Sequence, residues 1–102
     1  MQDFTNEAEQ AAYALAEALS EKAMGCMKYA EEAAEAFRAG KMAMRRQFKA
    51  RGLSEAEADI RWSGTSQASR AIADNGWFMT QAQMYNGAAA AQYAKAAYLK
   101  NK

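Results

Sequence analysis

The sequence contains no proline, no valine and no histidine, a single cysteine, and only six leucine and isoleucine residues together. Each shortage excludes something. Without proline, no ring removes an amide donor or interrupts a helix. With so few β-branched residues, strands lack their usual material. Without histidine, the commonest general base and metal ligand is missing. One cysteine, Cys26, permits no intramolecular disulfide, which fits a reducing compartment and leads us to expect a cytoplasmic protein. The opening Met1-Gln2-Asp3-Phe4 lacks the basic-then-apolar pattern of a signal peptide. No apolar run reaches the roughly 18 residues of a membrane span. No Gly-rich phosphate loop or nucleophile elbow occurs either. No catalytic residue, metal ligand or cofactor is therefore assigned, and an enzyme is not expected.

What the chain has is alanine, at 27 of its 102 positions. Alanine is the best helix former because ordering it costs no side-chain entropy. The expected class is all-α. The same composition weakens the core, since leucine, isoleucine and phenylalanine number only ten. Burying one large side chain is worth about 1.5–3 kcal/mol, and a buried alanine gives much less. Self-association is a natural way to make up that deficit.

Punctuation divides one domain, residues 1–102, into three helices. Asn6 caps the first, with Glu9 three residues on as in a capping box. The helical pattern runs to Ala50, where Gly52 follows Arg51 as a left-handed stop. Ser54 with Glu57 opens a second helix over 54–73. Asp74-Asn75-Gly76 reads as a turn, and a third helix covers 77–99. Gly25, Gly40, Gly64 and Gly87 fall inside these helices, where close helix packing would account for them. In the first helix Phe4, Leu15, Cys26, Phe37 and Phe48 recur every eleven residues, which predicts a nearly straight apolar seam with Cys26 inside it. A helix over 6–50 spans about 67 Å at 1.5 Å per residue. A compact domain of this size has a radius of gyration of only about 13 Å. The expected layout is an elongated helical hairpin or three-helix bundle, with the long helix packed against two shorter ones and the chain partnering itself as a homo-oligomer.

Charge is segregated. Residues 1–35 carry eight acids and two bases, whereas 36–51 carry six bases and no acid. Arg38, Lys41, Arg45 and Lys49 step by three, four and four, forming one helix stripe beside Arg46. Such a stripe can bind the phosphates of nucleic acid or a nucleotide. It can equally be a solvated face favoured at a helix C-terminus, or meet the acidic block of a second, antiparallel chain. The net charge of +1 argues against general affinity for nucleic acid. Glu31, Glu32 and Glu35 lie within pairing distance of Lys28 and Arg38, which predicts surface ion pairs and not a metal site.

The segment 75–94 is uncharged. On a helix, Phe78, Ala82, Tyr85, Ala89, Tyr93 and Ala96 form one stripe. Trp77, Met84, Ala88, Ala91 and Tyr98 form a second about 100° away. One neighbouring helix does not need two apolar stripes. Trp77, Met84, Tyr85, Tyr93 and Tyr98 are therefore candidate interface residues, since aromatics and methionine are enriched at interfaces. Trp62 joins them because it stands off the expected second-helix seam of Leu53, Ala56, Ile60, Gly64, Ala68 and Ala71.

Trp62-Ser63-Gly64 resembles the motif of secreted Trp-x-Gly helical hairpins. The resemblance stops there, because Tyr85, Tyr93 and Tyr98 are followed four residues on by Ala89, Ala97 and Lys102, where that family carries an acid. Gly52-Leu53-Ser54-Glu55 and Asp74-Asn75-Gly76-Trp77-Phe78, with Ala82, Met84 and Tyr85, resemble small accessory proteins of actinobacterial phages. That resemblance covers about the last half of the chain and carries no catalytic residues. It implies a phage protein acting in the host cytoplasm on a bacterial host or phage protein. The leading expectation is a non-enzymatic helical protein that self-associates and binds another macromolecule. The alternatives are an anion-binding module for nucleic acid or a signalling nucleotide, and a virion or scaffold component.

Overall fold

A computed structural model of the chain describes residues 6–101, and they are all-α: α1 (Glu7–Ala50), α2 (Glu55–Ser63) and α3 (Ser66–Lys100). The long first helix packs against the two shorter ones. The Asn6 carboxamide accepts the Glu9 amide at 2.7 Å, closing the first turn of α1. At the other end Gly52 has φ +76°. The Leu53 amide donates to the Phe48 carbonyl at 2.9 Å and the Gly52 amide to the Lys49 carbonyl at 3.0 Å. These two bonds are a Schellman stop, which needs a residue without a Cβ at the left-handed position. Ser54 then caps α2 by accepting the Glu57 amide at 3.2 Å.

The second boundary lies elsewhere than expected. The break falls at Gly64-Thr65, and Asp74-Asn75-Gly76 lies inside α3. Four bonds make the early break. The Gly64 amide is shared between the Ile60 and Arg61 carbonyls, and the Thr65 hydroxyl donates to the Trp62 carbonyl at 2.7 Å. The Thr65 hydroxyl also accepts the Ala68 amide at 3.2 Å, capping α3. Asn75 is released from its turn role because its carboxamide donates across to the Ala30 carbonyl of α1 at 2.8 Å.

The chain divides into two compact units, Met1–Met27 with Met79–Lys102, and Lys28–Phe78. In the first, the start of α1 runs antiparallel to the end of α3. Tyr13 meets Tyr93 edge-on at 5.4 Å, and the Lys22 ammonium sits 5.7 Å from the centre of the Tyr85 ring. The buried apolar residues are all alanines: Ala12, Ala16 and Ala23 on α1, and Ala82, Ala89 and Ala96 on α3. In the second unit, the rest of α1 packs against α2 and the start of α3. Its core is Ala30, Ala58, Trp62, Ala68 and Ala71.

The covered row of α1 therefore steps by seven, through Ala16, Ala23, Ala30 and on to half-buried Phe37, and not by eleven. Phe4 lies outside the described residues, Leu15 is exposed, and Cys26 is half-buried. The reason is the partner: α3 follows α1 with its own alanines at 82, 89 and 96, and two helices in sustained contact share a seven-residue repeat. The expected α2 seam is also displaced. Ala58 and Trp62 face inward, whereas Ile60 keeps 75% of its surface exposed.

Of the helix glycines, only Gly40 serves close packing. A Cβ there would overlap Cη2, Cζ2 and Cζ3 of the Trp62 ring, whereas one on Gly25 or Gly87 would meet nothing. Gly40→Ala should therefore destabilise the chain by about 1–3 kcal/mol through overpacking against a buried ring. Gly25→Ala should stabilise it by up to about 1 kcal/mol through helix propensity. Urea unfolding of the two variants checks both signs.

Candidate interaction surface

The residues singled out in the sequence separate into covered and uncovered groups. Trp62 is covered: it retains 7% of its surface and meets Phe37 at 5.7 Å with the rings inclined at 63°. Its contact lies within its own chain, in the pocket that Gly40 leaves open, so it presents no outward face. Its indole N–H finds no hydrogen-bond partner. The ring is held by packing alone. Tyr85 is half-buried beneath Lys22, and Tyr93 is partly exposed with an edge on Tyr13.

Uncovered are Met84, with 62% of its surface exposed, and Trp77, with 59%. Tyr98 is also exposed. Helical periodicity places Trp77, Met84, Ala91 and Tyr98 on one row of α3, and every residue of that row is exposed. The row opposite, Ala82, Ala89 and Ala96, is the buried one. Of the two apolar stripes of α3, one meets α1, and members of the other touch neighbouring side chains. Trp77 makes such a contact, meeting Phe78 edge-on at 5.0 Å, and Phe78 in turn lies 5.2 Å from Tyr29.

The basic stripe is partly spent inside the chain. Arg45 makes a bidentate bond to Asp59, 2.8 Å from Nε to Oδ1 and 2.7 Å from Nη2 to Oδ2, with Glu55 at 3.6 Å. Arg38 holds Glu35 at 2.6 Å and Glu31 at 3.4 Å. Lys41 is half-buried beside this cluster, while Arg46 and Lys49 are exposed. The acids that answer the basic block thus come from α2 and from the preceding turns of α1. Sequence segregation alone hid this, because Glu55 and Asp59 follow the hairpin turn that brings them back against Arg45.

Hydrogen bonding from Arg45 holds the Asp59 carboxyl below the ordinary aspartate range; desolvation opposes this, and the Arg45 and Lys41 charges add to the lowering. The Arg45 guanidinium is raised by the same bond, and the Arg38 guanidinium is raised by its bond to Glu35.

A shallow groove on the second unit is lined by Ala34, Phe37, Arg38, Ala71, Ile72 and Asn75. Among the described residues no group of three or more cysteine, histidine, aspartate or glutamate side chains is placed to hold a metal ion. No helix there is long and apolar enough to cross a membrane. Asn75 is the residue that sequence reasoning misread. Its signal was present: it stands seven residues before Ala82, in the row that faces α1.

Comparison with protein-family profiles, with curated proteins and with solved structures finds no match for this chain.

Because the Asp59 carboxyl is lowered on folding, its stabilisation is full above the ordinary aspartate pKa and is lost as the pH falls through the folded value. Asp59→Asn should lower the thermal midpoint at pH 7. The gap to the wild-type chain should narrow as the pH drops below about 4. Circular-dichroism melts across that range measure it.

Proposed function

We propose that this chain is a non-enzymatic helical protein that self-associates and works by binding another macromolecule. One observation carries the reading. Among the described residues no large side chain is fully buried, while thirteen large apolar side chains are exposed, Trp77 and Met84 among them. Scattered single apolar residues on a surface are ordinary, but a contiguous uncharged row of them marks a contact site. Aromatic and methionine side chains are also the types that carry interface energy. The resemblance to phage accessory proteins adds a setting, the cytoplasm of a bacterial host, and a class of partner, a host or phage protein. The anion-binding alternative is weakened by the engagement of Arg38 and Arg45 with acids of their own chain.

Size-exclusion chromatography with light scattering tests the first half of the reading. A mass at least twice that of the 11.2 kDa chain is expected at tens of micromolar protein. A clean monomer at that concentration would count decisively against self-association.

A further inference from the structure

Helix α2 is too short to hold itself. It has nine residues, below the roughly 12–15 at which an isolated helix becomes even marginally stable in water. Its place depends on what it touches, and it touches little. Of its nine residues only Ala58 and Trp62 are buried. Ala58 brings little apolar area. Ile60, the one large aliphatic residue of α2, is exposed.

Trp62 is the main anchor, and an imperfect one. Its ring lies in the gap at Gly40, against Phe37, but its indole N–H is buried without an acceptor. A buried donor left unpaired forfeits the bond it would make to water, which offsets much of the gain from burying the ring. Release returns that bond. The polar tie is the Arg45–Asp59 fork. Among the described residues, both ion pairs that reach α2 are made by this one arginine.

The neighbours of α2 are complete without it. The Gly52 and Leu53 amides close α1 on the Lys49 and Phe48 carbonyls. The Thr65 hydroxyl caps α3 by accepting the Ala68 amide. Asn75 holds α3 to the Ala30 carbonyl of α1 at 2.8 Å, with no part played by α2. The segment thus runs between two turns, each with a glycine: Gly52, with φ +76°, and Gly64.

We propose that α2 is a strap that releases from α1 as one unit while α1 and α3 stay paired, baring the Gly40 notch and the Phe37 ring. Phe37 also lines the shallow groove with Ala34, Ala71 and Ile72. Release therefore enlarges an apolar surface that the closed form shows only in part, and the strap governs how much of it this unit presents. The proposal does not depend on self-association, because every contact named lies within one chain.

Native-state hydrogen exchange on the unaltered chain tests the release. The amides of Ala58 to Ser63 should lose protection together. They should be about ten-fold or more less protected than the amides of residues 33–40 on α1 and 71–75 on α3. Their opening should also respond to low urea with a shallower slope than those amides, because less surface is exposed. A protection gradient falling towards the ends of α2 would mark ordinary fraying and overturn release as one unit. Protection and slope equal to those of α1 and α3 would overturn the strap. Thiol labelling in a Cys26→Ser background tests whether α2 leaves α1 or merely unwinds in place. Ala58→Cys, on the face of α2 that is covered, should react about ten-fold or more faster than Ala30→Cys in the α1 seam. Equal rates would overturn the baring of the notch.

Discussion

The alanine seam is the constraint on which the rest of the structure depends. In each unit the residues of α1 and α3 that face each other are the smallest that still carry a Cβ. Small seam residues let two helical backbones approach closely, and close approach leaves no room between them for methionine, tyrosine or tryptophan. Large side chains are therefore displaced to the flanks, where rings meet rings, edge-on for Tyr13 and Tyr93 and tilted at 31° for Tyr29 and Phe78. The exposure of so much apolar surface is a direct consequence of how the two helices are joined. The Asn75 bond belongs to the same logic, because only a residue as short as Ala30 leaves its carbonyl open to a side chain from the facing helix. A polar residue at one position of an apolar seam also fixes register, since a slip in pairing would strand its carboxamide.

Local chemistry was legible in the sequence, and long-range chemistry was not. Gly52 and Ser54 act within three or four residues of themselves, as does the Asn6 carboxamide oxygen in capping α1, so spacing alone identifies these roles. The break at Gly64-Thr65 was missed because Asp74-Asn75-Gly76 is the stronger turn signal when read locally. That signal fails only because Ala30, forty-five residues away, offers Asn75 a better partner. Trp62 was misplaced for the same kind of reason. Its destination is a gap left by Gly40 on another helix, and neither residue announces the other. The eleven-residue row of α1 reflects an isolated straight helix, whereas the observed seven-residue row reflects one that tracks a partner.

The ion pairs show a division of labour along α1. Arg38 is answered by acids one and two turns earlier on its own helix, and those contacts are open to solvent. Exposed pairs of this kind contribute little. Arg45 is answered by α2, in a planar two-bond geometry that is more enclosed. A lysine could not reproduce that fork, so the guanidinium fixes where α2 lies as well as attracting it. The basic block is in this sense part of the fold, and the hairpin turn at Gly52 is what brings its counter-charges within reach.

Gly40 and Gly87 pose the same physical question and receive different answers. Each removes a Cβ from the middle of a helix and gives up stability in doing so. At Gly40 the space is filled by Trp62, and that filling secures the only large residue in the core among the described residues. At Gly87 the space is open, beside an exposed methionine and within a segment free of charge. Gly25 on α1 is open in the same way, so at both positions the backbone carries the propensity cost of glycine with no packing gain from its own chain.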